Sequence, residues 1–155
     1  MKTTSILFVC TDNLSRSPMA EEVLRQKAIQ QGLGQRLEMA SAATHDLNTG
    51  EPIDYHAQKH ALRRGYDLSA LRVRLLQPQD FEHFDLILAM QASNLQTLHE
   101  KCPPAHHDKL RSFTDYCSNT RSGDVPDPFY GQPNDLEQVL DIIENGCDGL
   151  LSELQ

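Results

Sequence analysis

Two side chains near the start of the chain could do phosphoryl chemistry together. Cys10 and Arg16 stand with five residues between them in "CTDNLSRS", residues 10–17. A thiol becomes a strong nucleophile where a positive field favours its thiolate. A guanidinium grips two oxygens of a tetrahedral oxyanion with its planar fork. Thiolate attack on a phosphate ester needs one more part, an acid for the departing oxygen. "GDVPDPFYGQP", residues 123–133, offers Asp127 between Pro126 and Pro128, followed by Phe129 and Tyr130, which suit an aromatic ring. The two prolines hold the backbone of that aspartate extended in a stiff loop.

Either motif alone is a weak sign, because cysteine-x5-arginine arises by accident and Asp-Pro pairs are common in turns. Placement strengthens the first. "SILFVC" reads as a buried strand and "SPMAEEVLRQKAIQQG" as a helix. Ser17 can cap that helix, Pro18 fits its first position, and Glu21 and Glu22 fall in its first turn. A loop between strand and helix can turn several N–H groups inward, and the helix end adds its partial positive charge. In that field Cys10 is expected as a thiolate at neutral pH.

The elements that must position these residues alternate along the chain. "RLEMASA", "FDLILAM" and, more weakly, "HDKLRSF" read as further strands. "PIDYHAQKHALRRGY" has helical spacing through Ile53, Ala57, Ala61 and Leu62 and stops at Gly65. "SNLQTLHE" is a shorter helix, and "NDLEQVLDIIENGCDGLLSEL" a long one with its stripe at Leu136, Val139, Leu140, Ile143, Leu150 and Leu151. Alternation of this kind predicts an α/β fold, a mostly parallel sheet with helices on both faces. Ligands in such folds sit beyond the carboxyl ends of strands, which is where residues 10–17 fall. The 155 residues fit one domain, 1–155.

A net charge of −8 argues against a nucleic-acid partner, though local arginines can still draw an anion. The apolar run of five residues at 6–10 is too short for a secretion signal or a membrane span. A cytoplasmic location without a membrane partner is therefore expected, and there Cys10, Cys102, Cys117 and Cys147 should be reduced. The last three read as small buried hydrophobes, with no zinc spacing among them. His56 and His60 have ligand spacing but lack a third partner, so neither metal nor cofactor is expected. His106 and His107 follow a Pro-Pro pair and read as loop residues. Arg63, Arg64, Arg72 and Arg74 read as ordinary surface charges.

Taken together, these segments resemble the low-molecular-weight protein tyrosine phosphatases. The similarity runs through "VCTDNLSRSPMAEEV", "SAAT" at 41–44, "DFEHFDLILAM" at 80–90, "SNLQTL" at 93–98, "VPDPFYGQ" and "CDGLL" at 147–151. It implies a three-layer αβα fold with a four-stranded parallel sheet. It also implies hydrolysis of phosphotyrosine in proteins, a tyrosine kinase among them, through a phosphocysteine intermediate. Cys10 would be the nucleophile, Arg16 the phosphate clamp, and Asp127 the acid that then acts as base. Thr11, Asp12, Asn13, Leu14, Ser15 and Ser17 would surround the phosphate, or an inorganic oxyanion in its place. Ser17 would hydrogen-bond the sulfur, Asn13 would brace the loop, and Ser41 would support it. Leu47, Phe129 and Tyr130, with Leu14, would line the substrate cleft.

The chain also departs from the family pattern. Asp12 stands where glycine is typical, a position that suits unusual dihedrals. At about 8 Å its charge would oppose a dianion by about 0.5 kcal/mol in water and about 2 at an effective dielectric of 20. Ser15 replaces a second loop cysteine, Leu71 a histidine of the supporting network, Gln91 an aspartate and Leu47 an aromatic residue. Two other readings stand beside the phosphatase. A thiol-linked arsenate reductase shares the fold, but needs shuttle cysteines that residues 81–98 lack. A phospholigand-binding module without turnover is the second.

Overall fold

The computed structural model describes residues 3–118, 124–128 and 135–154. Its sheet is four-stranded, in the order β2-β1-β3-β4, and every pairing is parallel. The strands are β1 (Thr4–Cys10), β2 (Leu37–Ala43), β3 (Leu86–Ala89) and β4 (Leu110–Ser112). Five helices join or follow them: α1 (Arg16–Gln30), α2 (Tyr55–Arg63), α3 (Asp80–His83), α4 (Ala92–Lys101) and α5 (Asp135–Leu154). The parallel α/β arrangement expected from the alternation is what forms.

Strand β1 decides the layering. It is paired on both sides and its inner residues are fully buried. Successive side chains point to opposite faces. Ile6, Phe8 and Cys10 therefore join the core under α1 and α5, while Leu7 and Val9 join the core with Phe81, Phe84 and Leu98. The apolar stripe of α5 lies in the first core, with Val139, Leu140, Ile143, Leu150 and Leu151 buried. Its two glycines permit close approach. A Cβ at Gly149 would lie 2.0 Å from the Tyr116 carbonyl oxygen, and one at Gly146 2.3 Å from the Phe113 ring.

The chain leaves β1 for β2 on one side of the sheet and meets β3 on the other. The crevice beyond the end of β1 is therefore the switch point of the sheet, where such folds place ligands. Residues 11–15 occupy it.

Several local expectations change. Helix α1 starts at Arg16 with Ser15, not Ser17, at its N-cap, because the Ser17 hydroxyl is committed to the Cys10 sulfur. Pro18 is thus inside the first turn, and Glu21 and Glu22 lie beyond it. Leu62 is 59% exposed, so the buried stripe of α2 is Ala57 and Ala61. Gly65, at φ +93, takes the left-handed turn that ends this helix. Strand β4 is only three residues long, set between 3-10 turns at 104–109 and 113–116. His106 and His107 lie half-buried in the first of these turns. Arg64 is no ordinary surface charge. Its guanidinium reaches Glu137 at 2.8 Å, Glu144 at 2.7 Å and Asp141 at 3.0 Å, tying α2 to α5. His60 also meets Glu137. Cys102 and Cys147 are buried as expected, while Cys117 is half-buried. Among the described residues, no helix is long and apolar enough to cross a membrane.

Candidate active site

The loop after β1 is held from outside by its carbonyl groups. Those of Cys10, Thr11, Leu14 and Ser15 accept the N–H groups of Thr44 (3.0 Å), His45 (3.1 Å), Asp54 (3.0 Å) and Met19 (3.0 Å). Across a planar trans peptide the N–H points opposite to the C=O. The N–H groups of Thr11, Asp12, Ser15 and Arg16 therefore face away from those anchors, toward the concave side. Asn13 makes the turn possible. Its φ of 59 is left-handed, a conformation asparagine tolerates better than most residues. The Asn13 N–H then donates to the Cys10 sulfur at 3.3 Å. The unusual dihedral thus falls on Asn13 and not on Asp12, where the glycine of the family pattern had placed it.

A buried hydrogen-bond chain runs beneath the sulfur. The Asn13 side-chain amide donates to Ser17 Oγ at 2.8 Å and to Ser41 Oγ at 3.0 Å, and its oxygen accepts the Arg74 N–H at 3.0 Å. Ser41 in turn donates to the Glu21 carboxylate at 2.8 Å, and Glu21 pairs with Arg25. The Ser17 hydroxyl, accepting from Asn13, also lies in hydrogen-bond contact with Cys10 Sγ, 2.9 Å away, and can donate to it. Every polar atom of the Asn13 side chain is satisfied, which fixes its orientation beneath the sulfur.

The nucleophile itself is fully buried. Burial pushes the Cys10 thiol above its ordinary value; the Arg16 charge and the Ser17 hydroxyl and N–H oppose the rise, and the Asp12 carboxylate adds to it. The balance is upward. Desolvation and the positive field of Arg16 thus act in opposite directions on this thiol.

Arg16 is 1% exposed, and its guanidinium is oriented on one side only. Nη1 donates to Gln91 Oε1 and to the Val125 carbonyl, at 3.1 Å for the latter. Nη2 lies 3.8 Å from Asp127 Oδ2. The buried Nε has no hydrogen-bond partner among the described residues. Nε and Nη2 form one edge of the guanidinium, so a two-pronged fork is presented with its other end pinned. Asp127 reaches this edge because its segment is fastened to the sheet. Val125 donates to the Met90 carbonyl at 2.7 Å, and Asp124 accepts the Ala92 N–H at 2.6 Å where α4 begins. A thiol and a fork from one loop and a partly exposed carboxylate from a distant segment thus converge. Together they can hold a tetrahedral anion, attack its centre and protonate its leaving group.

The low molecular weight phosphotyrosine protein phosphatase model matches residues 5–155. The chain belongs to that family. It is 33% identical to the human low molecular weight phosphotyrosine protein phosphatase over 152 residues, covering 97% of this chain and 96% of that protein. It is also 33% identical to the low molecular weight protein-tyrosine-phosphatase YfkJ of Bacillus subtilis, covering 97% and 96%. A crystal structure of a protein tyrosine phosphatase from Entamoeba histolytica, with Hepes in its active site, superposes with a TM-score of 0.94 at 32% identity, covering 98% of this chain and 97% of that one.

Within the family frame, the structure gathers Cys10, Thr11, Asp12, Asn13, Leu14, Ser15, Arg16, Ser17, Ser41 and Asp127 at or around one loop. Leu47 is 63% exposed, and its N–H donates to the His45 carbonyl at 3.0 Å. Phe129 and Tyr130 lie outside the described residues. Leu71 packs against the apolar core rather than in the polar network, whose further end is Glu21. Residues that sequence reasoning missed are those acting through the backbone or from afar. The Val125 carbonyl and Gln91 orient Arg16, the Arg74 N–H holds Asn13, and Asn94 donates to Thr11 Oγ1 at 3.0 Å. Glu21 and Asn94 had one usable signal, a polar residue on the inward face of a helix beside the loop.

Proposed function

We propose that this chain hydrolyses phosphotyrosine monoesters in proteins through a phosphocysteine intermediate, in the cytoplasm. The single observation that carries the mechanism is the pinned Arg16 guanidinium, whose Nε–Nη2 edge faces the Asp127 carboxylate beside the buried Cys10 loop. In the first step the Cys10 sulfur, having lost its proton, attacks phosphorus. The bond to the tyrosyl oxygen breaks, and protonated Asp127 gives its proton to that oxygen. In the second step Asp127, now a carboxylate, takes a proton from water. The water oxygen attacks phosphorus, the S–P bond breaks, and inorganic phosphate leaves. Arg16 and the inward N–H groups hold the non-bridging oxygens throughout, where charge builds in the transition state. Ser17 donates to the sulfur, which favours its thiolate both as attacking and as leaving group.

Leu14, Leu47, Phe129 and Tyr130 would contact the aromatic ring, and a tyrosine-phosphorylated protein, such as a kinase, would be the substrate. Family membership and the matching positions support this reading. The test is turnover of p-nitrophenyl phosphate without added metal. Cys10→Ser abolishes it, and Asp127→Ala lowers kcat by about 10²–10⁴-fold, the usual worth of a general acid. Turnover that survives Cys10→Ser, or that requires a divalent cation, excludes the mechanism.

A further inference from the structure

The Asp12 side chain stands inside the loop that the phosphate is to enter. Its Oδ1 accepts the Leu14 N–H at 3.0 Å, and the same oxygen is the acceptor for the Cys10 thiol at 3.8 Å. One carboxylate oxygen thus takes a loop amide and lies against the nucleophilic sulfur, which has no solvent exposure. A bound phosphoryl oxygen would likewise lie against the sulfur and take N–H groups of this loop. Among the described residues Asn13 is the only non-glycine residue with a positive φ, so residue 12 needs no special dihedral. The Leu14 contact is the turn an aspartate makes with the amide two residues on, and the contact with the Cys10 sulfur is what sets the carboxylate against the nucleophile.

We infer that the Asp12 carboxylate is an internal occupant of the anion-binding loop, which phosphate esters and product phosphate must displace. The inference rests on the reading of this loop as the phosphate site. Displacement breaks the bond to Leu14 and turns the carboxylate away from an arriving dianion. Every oxyanion is weakened by the same factor, so their ranking is unchanged, but a ligand bound by its phosphate alone needs a higher concentration to occupy the site than one whose remote parts add binding of their own. Product phosphate leaves more readily for the same reason.

The experiment measures the inhibition constant of inorganic phosphate together with kcat and KM for p-nitrophenyl phosphate. The proteins are the unaltered chain, Asp12→Ala, Asp12→Asn and, as a control, Arg16→Ala. Thermal melting confirms that each variant is folded. Asp12→Ala should lower the phosphate constant and KM in parallel by about tenfold, the weight of a charge-assisted hydrogen bond, with kcat changed by less than about twofold. Asp12→Asn should gain only about threefold, since its amide oxygen still accepts from Leu14 without the charge. An unchanged or weaker phosphate constant in Asp12→Ala overturns the inference and makes Asp12 a brace of the loop. A fall in kcat with slower Cys10 alkylation also overturns it and makes Asp12 the acceptor of the thiol proton. Equal gains in both variants that vanish at high salt reduce it to distant repulsion. Phosphate inhibition that survives Arg16→Ala refutes the loop as the anion site, whatever the Asp12 variants do.

Discussion

Replacing Arg16 by lysine keeps the charge and removes the fork, which separates two things the guanidinium could be doing. The structure shows how its nitrogens are divided. Nη1 is taken by Gln91 and the Val125 carbonyl, while Nε and Nη2 form the edge left toward the site. A lysine ammonium is one point with three protons, and it cannot bond Gln91, Val125 and two phosphoryl oxygens from one place. The substitution therefore removes about two charge-assisted hydrogen bonds to the transition state, each worth about 1.5–3 kcal/mol. Their combined loss, about 3–6 kcal/mol, lowers kcat/KM by roughly 10²–10⁴-fold. The assay is steady-state hydrolysis of p-nitrophenyl phosphate, with melting temperature measured alongside. Breaking the contacts to Gln91 and Val125 also loosens the segment carrying Asp127, so kcat should fall more than KM rises. A folded Arg16→Lys variant that keeps more than about a tenth of kcat/KM, a loss under 1.4 kcal/mol, refutes the two-pronged grip and leaves Arg16 as charge alone.

Two further outcomes follow from the packing and from the loop composition. Gly149→Ala should destabilise the chain. A Cβ there would lie 2.0 Å from the Tyr116 carbonyl, and overpacking of about 1–3 kcal/mol exceeds the helix propensity gained, at most about 1 kcal/mol. The melting temperature should drop by roughly 2–6 °C, and an unchanged or higher value would show that α5 shifts freely over residues 113–116. Peroxide should inactivate the enzyme in a way that dithiothreitol reverses only in part. The loop has Ser15 and no second cysteine to trap a Cys10 sulfenic acid as a disulfide, so oxidation runs on to the sulfinic acid. Complete recovery after prolonged exposure would contradict this.

Much of this site was legible in order along the chain, because its chemistry is concentrated in a short strand–loop–helix segment. An apolar run ending in cysteine, followed by a helix pattern, locates a loop at the carboxyl end of a strand whatever the rest of the chain does. Where reading failed, side chains had been judged by local role and then recruited by distant partners. Ser17 has the composition of a helix cap, yet its hydroxyl lies between Asn13 and the Cys10 sulfur. Arg64 and Arg74 look like solvated charges, yet one clamps α5 and the other gives its backbone N–H to Asn13. Backbone partners such as the Val125 carbonyl leave no trace in residue type at all.

The amino-acid sequence by itself determined the parallel α/β plan and named Cys10, Arg16 and Asp127, because hydrophobic period and residue chemistry are local properties. Only the tertiary structure decided how those groups act. Burial raises the Cys10 thiol, Gln91 and Val125 turn the Arg16 fork, and the Met90 carbonyl holds the Asp127 segment in place. Solvent exclusion and hydrogen-bond direction depend on which surfaces meet across sequence separations of 75 to 109, and no short window of sequence contains that information.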